Sequence, residues 1–192
     1  MRTPTITGNS ILHTGRFLQL RQLEMIHTDG RKWVYEMATR NSEKVFGIIS
    51  ILPITRDDEI VMIRQYRAPL DRVGIEFPAG CAEVGKHMTL EDAVHAELLE
   101  ETGYQSDDIT HIAEFSSSSG MTNETVHGYV ARNCIRVTET LDLDESEHIE
   151  PVVVPYSQFD QFILSEMARG AIIEPKMLAM VYMWRQGMIS KR

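Results

Sequence analysis

Residues 89–104 read TLEDAVHAELLEETGY, and this stretch decides the fold. No proline or glycine interrupts 90–102, Thr89 and Asp92 have the spacing of a capping box, and Gly103 stands where a glycine ends a helix. The stretch is predicted as one helix. On it Glu97, Glu100 and Glu101 fall at i, i+3 and i+4, so their carboxylates share one face. At roughly 6 Å and an effective dielectric near 20, each like-charged pair costs on the order of 3 kcal/mol before salt screening. A hard divalent cation, which prefers oxygen ligands, removes that repulsion. A solvated acidic helix face is the plain alternative, and three glutamates alone leave both open.

Upstream of the helix the chain reads as strands. Residues 16–27 alternate in part, Asp29-Gly30 is a hairpin turn signal, and Lys32 to Ala38 is the return strand. Val45 to Pro53 is a β-branched apolar run that suits a buried strand, and Ile60 to Tyr66 follows the Asp57-Asp58 turn. Downstream, strands are predicted at about 109–115, 125–132 and 152–154. The acidic, turn-rich residues 138–150 read as a loop. A helix capped by Ser157 runs to about 168, and Pro175 opens a last helix that reaches about Gln186. Strands first, one helix in the middle and helices last imply an α+β domain layered as α/β/α around a mixed sheet. The expected division is an N-terminal extension over 1–42 and a main domain over 43–192.

The chain has 192 residues, enough for one well-buried domain, and a formal net charge of −9. That charge argues against a nucleic-acid partner, which calls for a basic face. It leaves a small phosphate ligand open, because one local basic pair can hold it. No apolar run approaches the roughly 18 residues of a membrane helix, and the first ten residues lack the apolar core of a secretory signal. Two cysteines, Cys81 and Cys134, are too few for a disulfide framework, so the expected location is the cytoplasm and the expected role of each is a small buried hydrophobe. The histidines show no zinc-ligand spacing, and no phosphate-loop, dinucleotide or nucleophile-elbow string occurs.

The flanks of the helix add a resemblance. Glu97, Leu98, Glu100, Glu101, Gly103 and Tyr104 match the second half of the Nudix box, whose pattern is Gly, five residues, Glu, seven residues, then Arg-Glu-apolar-x-Glu-Glu-x-Gly-apolar. Arg64-Gln65-Tyr66-Arg67, followed by Glu76-Phe77-Pro78-Ala79-Gly80, is similar to the ADP-ribose and nucleotide-sugar branch of that superfamily. Two departures stand out. The interval from Gly80 to Gly103 is longer than the pattern by two residues, and counting back from Gly103 puts Met88 at the first box Glu and Ala96 at the box Arg. That pair braces loop against helix in the family. Both members are absent together, as loss of a salt-bridged pair should look. Lys86, His87 and His95 are the candidates for a substitute brace.

The resemblance implies a Nudix-like α/β/α sandwich with an N-terminal β-hairpin extension, and Mg²⁺ or Mn²⁺ as cofactor. Glu97 and Glu101 would be metal ligands, with Glu100 in the same shell and the Ala79 carbonyl as a backbone ligand. It further implies a general base on the acidic loop 144–150, where Glu145 is favoured, with Glu147 as an auxiliary metal ligand. The solvated-loop reading of both stays open. For the substrate, a nucleoside diphosphate joined to a sugar, Arg67 is the favoured phosphate contact because Arg binds phosphate bidentately. Arg64 and Glu76 are secondary candidates. Phe17 and Trp33 are candidates for stacking on the base across a homodimer interface, against plain core packing. Apolar surface on the N-terminal hairpin and on the last helix, LAMVYMWRQ, supports that dimer. Ser118-Ser119-Gly120 stands where many relatives have Ser-Pro-Gly, which leaves nucleotide sugars other than ADP-ribose open. The alternative to an enzyme is a catalytically weak domain that binds a nucleotide as a sensor or partner module.

Overall fold

The computed structural model describes residues 3–40, 45–145 and 147–188. The expected domain boundary at 42/43 lies outside the described residues. At the centre stands β4 (Val45–Thr55), whose Ile49, Ile51 and Leu52 are fully buried. Alternation along β4 sends Ile49 and Ile51 to one core, and Leu52 and Ile54 to another on the opposite face. An apolar run without polar alternation is what a strand covered on both faces requires.

Three strands share the edges of β4. On one side β10 (Thr125–Arg136) runs parallel to it, from Val126 opposite Ile48 onward. On the other side β4 changes partner along its length. Its first half pairs antiparallel with β7 (Ala79–Glu83), and its end meets β5 (Glu59–Arg67) at Ile54 opposite Ile60. Beyond β5 lie β6 (Arg72–Glu76), β11 (Ile149–Pro155) and the two-residue β12 (Ile172–Ile173). Beyond β10 lie β8 (Tyr104–Gln105) and β9 (Asp108–Ser116). The sheet is mixed, as expected. Where β4 exchanges β5 for β7 the sheet splits, and Pro78 marks the split, its carbonyl accepting from the Ile51 N–H at 2.9 Å.

One helix, α1 (Leu90–Thr102), covers the first face through Ala93, Val94 and Leu98. Its capping box is formed as predicted: Asp92 N–H donates to Thr89 Oγ1 at 3.1 Å and Thr89 N–H to Asp92 Oδ2 at 2.9 Å. The other face is covered by α2 (Phe159–Ala168) and α3 (Pro175–Arg185). Ser157 does not cap α2: residues 156–158 form a 3-10 turn, and no side chain caps the helix that follows. Met177, Met180, Val181 and Trp184 of α3 are buried in the core, so the methionine-rich face expected to be free surface is occupied by the domain itself.

The N-terminal extension has three strands where a hairpin was expected. β2 (Leu18–Ile26) and β3 (Lys32–Arg40) are the predicted pair, and β1 (Thr5–Thr14) adds to β2. Its sequence, TITGNSILHT, mixes polar residues with a glycine and shows no sustained alternation, so only pairing with β2 makes it a strand. This sheet is tied to the rest of the chain through the 118–122 turn, where Ala38 N–H reaches the Met121 carbonyl and Tyr35 Oη the Gly120 carbonyl, each at 2.8 Å.

Gly103 ends α1 in the left-handed region at φ 77°, and its carbonyl receives the Val137 N–H at 2.9 Å. A Cβ there would collide with the Thr138 carbonyl oxygen. Gly103→Ala should therefore lose on the order of 1–3 kcal/mol of stability, read from the urea midpoint. An unchanged midpoint would show that the α1 end does not depend on this conformation.

Candidate functional site

The split in the sheet places α1 directly over the start of β7. Glu101 is 1 % exposed, and its Oε2 accepts the Ala79 N–H at 2.9 Å. One turn earlier, Glu97 lies so close to the Gly80 backbone that a Cβ on residue 80 would fall inside its carboxylate. Only glycine lets this helix face and this strand meet. Glu97, with Glu100, lines one end of a cleft of about 580 Å³, and Glu101 is buried beside it against the Ala79 backbone. Asp142, Asp144 and Glu147 reach the cleft from the loop before β11, Glu124 from the loop before β10, and Glu174 from the cap of α3. Four cationic side chains share the walls: Arg40, Arg67, Lys86 and Lys176.

Acidic groups outnumber basic ones here, and burial makes the imbalance costly. Burial, then the neighbouring Glu100, with Glu147 and Asp144 adding, raises the Glu97 carboxyl to about 7 against the pull of Lys86. Burial raises Glu101 further, to about 9, despite its bond from Ala79 N–H and the more distant Arg67. Both carboxyls resist ionisation chiefly because they are buried, and a bound cation would relieve that cost. The carboxylates offer oxygen donors, the chemistry of Mg²⁺ or Mn²⁺. As the side chains stand, no three His, Cys, Asp or Glu among the described residues converge as a metal-holding group. Glu101 faces a backbone N–H, Glu100 is paired with Lys86 at 3.1 Å, and Glu147 accepts the Asp144 N–H at 3.0 Å. The residues fit a hard cation in kind, and closing on one would require those side chains to turn.

The cleft gathers Ala79, Glu97, Glu100, Glu147, Arg67 and Glu76 from the expected set, with Glu101 against the Ala79 backbone. Arg67 is held by a two-pronged pair with Glu76, Nε to Oε1 at 2.7 Å with Nη2 on Oε2, which fixes the guanidinium at the cleft wall. Arg64 is a correction. Three residues away on β5, it faces the other side and pairs with the buried Glu166 of α2 at 2.9 Å and with Glu150 at 3.4 Å, outside the cleft. Phe17 and Trp33 are also outside it. Phe17 is 70 % exposed at the β1–β2 turn and Trp33 lies half-exposed on β3 beside His27, so neither is core packing and neither meets the cleft within one chain. Glu145 is exposed on the loop that carries Asp144 and Glu147, and does not line the cleft. Cys134 is buried as expected, whereas Cys81 is half-buried on the cleft wall.

Sequence reasoning missed Arg40 and Lys176, and of its three candidates for a substitute brace Lys86 is the one that reaches the helix, at Glu100. Met88, reached by counting back from Gly103, is 93 % exposed, and His95 is exposed too. Counting forward from Gly80 through five residues reaches Lys86 instead. The 83–87 turn, closed by His87 N–H to the Glu83 carbonyl at 2.9 Å and Glu83 N–H to His87 Nδ1 at 3.0 Å, points Lys86 at Glu100. The extra residues therefore lie between Lys86 and Ala96. A lysine stands in the register of the pattern's first acid, and the loop-to-helix brace is Lys86–Glu100.

The NUDIX domain profile matches residues 46–177. The chain belongs to the NUDIX domain family. Its relatives include the methanol dehydrogenase activator of Bacillus methanolicus, 32 % identical over 117 residues, or 61 % of this chain and 62 % of that one. They also include the ADP-ribose pyrophosphatase of Bacillus subtilis (strain 168), 37 % identical over 108 residues, or 56 % and 57 %. The chain thus spans about three-fifths of the length of these two. A solved ADP compounds hydrolase shares the NUDIX fold at a TM-score of 0.76, 22 % identity and coverage of 98 % of this chain and 97 % of that one. The expected mixed-sheet sandwich is the observed fold.

A pH dependence follows from the two raised carboxyls. Each binds its proton more tightly folded than at the ordinary value of 4.5. Their contribution to stability is thus complete below that value and is lost as pH rises through about 7 for Glu97 and about 9 for Glu101. With EDTA present, the melting temperature should fall from pH 6 toward pH 9. Glu101→Gln keeps an acceptor for the Ala79 N–H without the charge, and should flatten the upper part of that fall. An equally steep decline in the variant would remove Glu101 as its source.

Proposed function

We propose that this NUDIX domain hydrolyses the diphosphate bond of a nucleoside diphosphate joined to a sugar, ADP-ribose or a similar compound, giving a nucleoside monophosphate and a sugar phosphate. The observation that carries the reading is the placement of Glu97 and Glu101 against the Gly80 and Ala79 backbone, Glu97 lining the acidic end of a cleft whose wall holds a fixed Arg67 and Glu101 buried beside it. The names of the Bacillus subtilis relative and of the solved ADP compounds hydrolase support the substrate class.

In this reading Glu97 and Glu101, with Glu147 and the Ala79 carbonyl, hold Mg²⁺ or Mn²⁺. The bound ion would supply neutralisation of the diphosphate and a water of lowered pKa. The remaining work belongs to the chain. Arg67, aligned by Glu76, meets the phosphate oxygens with its free N–H groups and stabilises charge that builds on them. Glu145 takes the proton of the attacking water, carried into place by the loop whose Asp144 and Glu147 already line the cleft. A chain acting in the cytoplasm as a homodimer completes the reading. Ile6, Ile11, Phe17 and Val34 are exposed on the N-terminal sheet and offer its contact surface, on which Phe17 and Trp33 would reach a partner's base site.

One observation favours a binding module instead: Glu100 is engaged by Lys86, and the carboxylates do not close on one point. Turnover separates the two. With Mg²⁺, release of phosphate from ADP-ribose, ADP-glucose, GDP-mannose and UDP-glucose should be found through a coupled phosphatase for at least one compound. Glu101→Gln should lower kcat by roughly 10²–10³-fold. No turnover by folded protein across the panel would leave the binding module. Light scattering at micromolar concentration should give twice the 21.9 kDa chain mass. A monomer would leave Phe17 and Trp33 without a role in the site.

A further inference from the structure

Lys86 sits where a metal site has least use for a positive charge. Its ammonium lies 3.1 Å from Glu100 Oε2, inside a cleft whose excess charge is negative. Three features place it there. The 83–87 turn is closed by two bonds between Glu83 and His87, which projects residue 86 toward α1. The longer stretch that follows carries the chain away through Met88, a side chain exposed to solvent, before α1 begins. Ala96 then removes the cation that the box pattern would put on the helix itself. The net change is an inversion: the loop supplies the cation and the helix the acid.

Building on the metal-site reading above, we propose that Lys86 is a resident counter-cation that takes Glu100 out of the metal-binding set, leaving Glu97 and Glu101 as the helix ligands. Lys86 is a positioning residue: it acts by occupying Glu100. The ammonium and a divalent ion compete for one carboxylate. The site therefore binds its ion more weakly than its acidic lining would allow, and the cluster is partly neutralised when no ion is present. Lys86 is half-exposed, so its ammonium can leave for water, while the Glu100 side chain, 26 % exposed, is left to the incoming ion. Lysine suits this exchange better than arginine at a two-pronged pair, because its ammonium is a compact, strongly hydrated point charge on a flexible stem.

The test is Mn²⁺ binding followed by electron paramagnetic resonance, on wild type, Lys86→Met, Lys86→Arg and the double variant Lys86→Met with Glu100→Gln. Lys86→Met should tighten Mn²⁺ binding about tenfold or add a bound ion, Lys86→Arg should stay within about threefold of wild type, and the double variant should lose the gain. A Lys86→Met affinity and ion count equal to wild type would overturn the proposal. So would a gain that survives Glu100→Gln, because the lysine would then act through its general field and not through that carboxylate. Wild type that binds no Mn²⁺ at all would overturn the metal site along with it, which separates that failure from failure of the lysine's role alone. Thermal melting of each variant shows that the comparison is between folded proteins.

Discussion

The Glu101 carboxylate lies against the Ala79 N–H, and much else follows from that contact. An ionisable group on a helix is driven almost fully out of water onto a strand backbone, and the strand accommodates its neighbour Glu97 by having no side chain at residue 80. Burial of an acid without a matching cation is unfavourable. The apolar packing of Ala93, Val94 and Leu98 against β4 and β10 holds α1 there nonetheless. The helix is anchored at both ends as well, by the Thr89–Asp92 box and by the left-handed Gly103, so its glutamate face cannot rotate toward solvent to relieve the strain. Stability is spent locally to hold two acids in a poised state, as functional sites commonly require.

The sheet supplies the space. Because β4 pairs with β5 at one end and β7 at the other, the chain must cross between them at Pro78, and the gap becomes the cleft. Every wall then comes from a different part of the sequence: Arg67 from β5, Glu124 from a loop shared with the N-terminal sheet through Arg40 at 2.6 Å, Glu174 from the cap of α3. Glu174 has two jobs, accepting the Met177 N–H as helix cap at 2.9 Å and lining the cleft, so the start of α3 and the cleft wall are fixed together. Arg67 and Arg64 show how sharply strand geometry divides labour. Separated by three residues on one strand, one is locked at the cleft by Glu76 and the other ties β5 to α2 through Glu166.

What the sequence by itself determined was local. The capping box, the glycine stop and the i, i+3, i+4 glutamates each depend on residues within one or two turns, and periodicity expresses such relations directly. The apolar run of β4 announced burial on both faces in the same way, and Arg67 was reachable because strand alternation separates it from Arg64. The tertiary structure alone decided the rest. TITGNSILHT is a strand because β2 lies beside it. Ser157 fails as a cap because a 3-10 turn takes up its segment. The methionines of α3 are core because β4 and β5 pack beneath them. Lys86 faces Glu100 because a turn aims it at a residue 14 positions further along the chain, and Arg40 reaches the cleft because the N-terminal sheet docks on the 118–122 turn. Local order follows from bonds between neighbours in the chain. Which charges meet across a cleft follows from how separate elements pack, and no spacing along the chain encodes that.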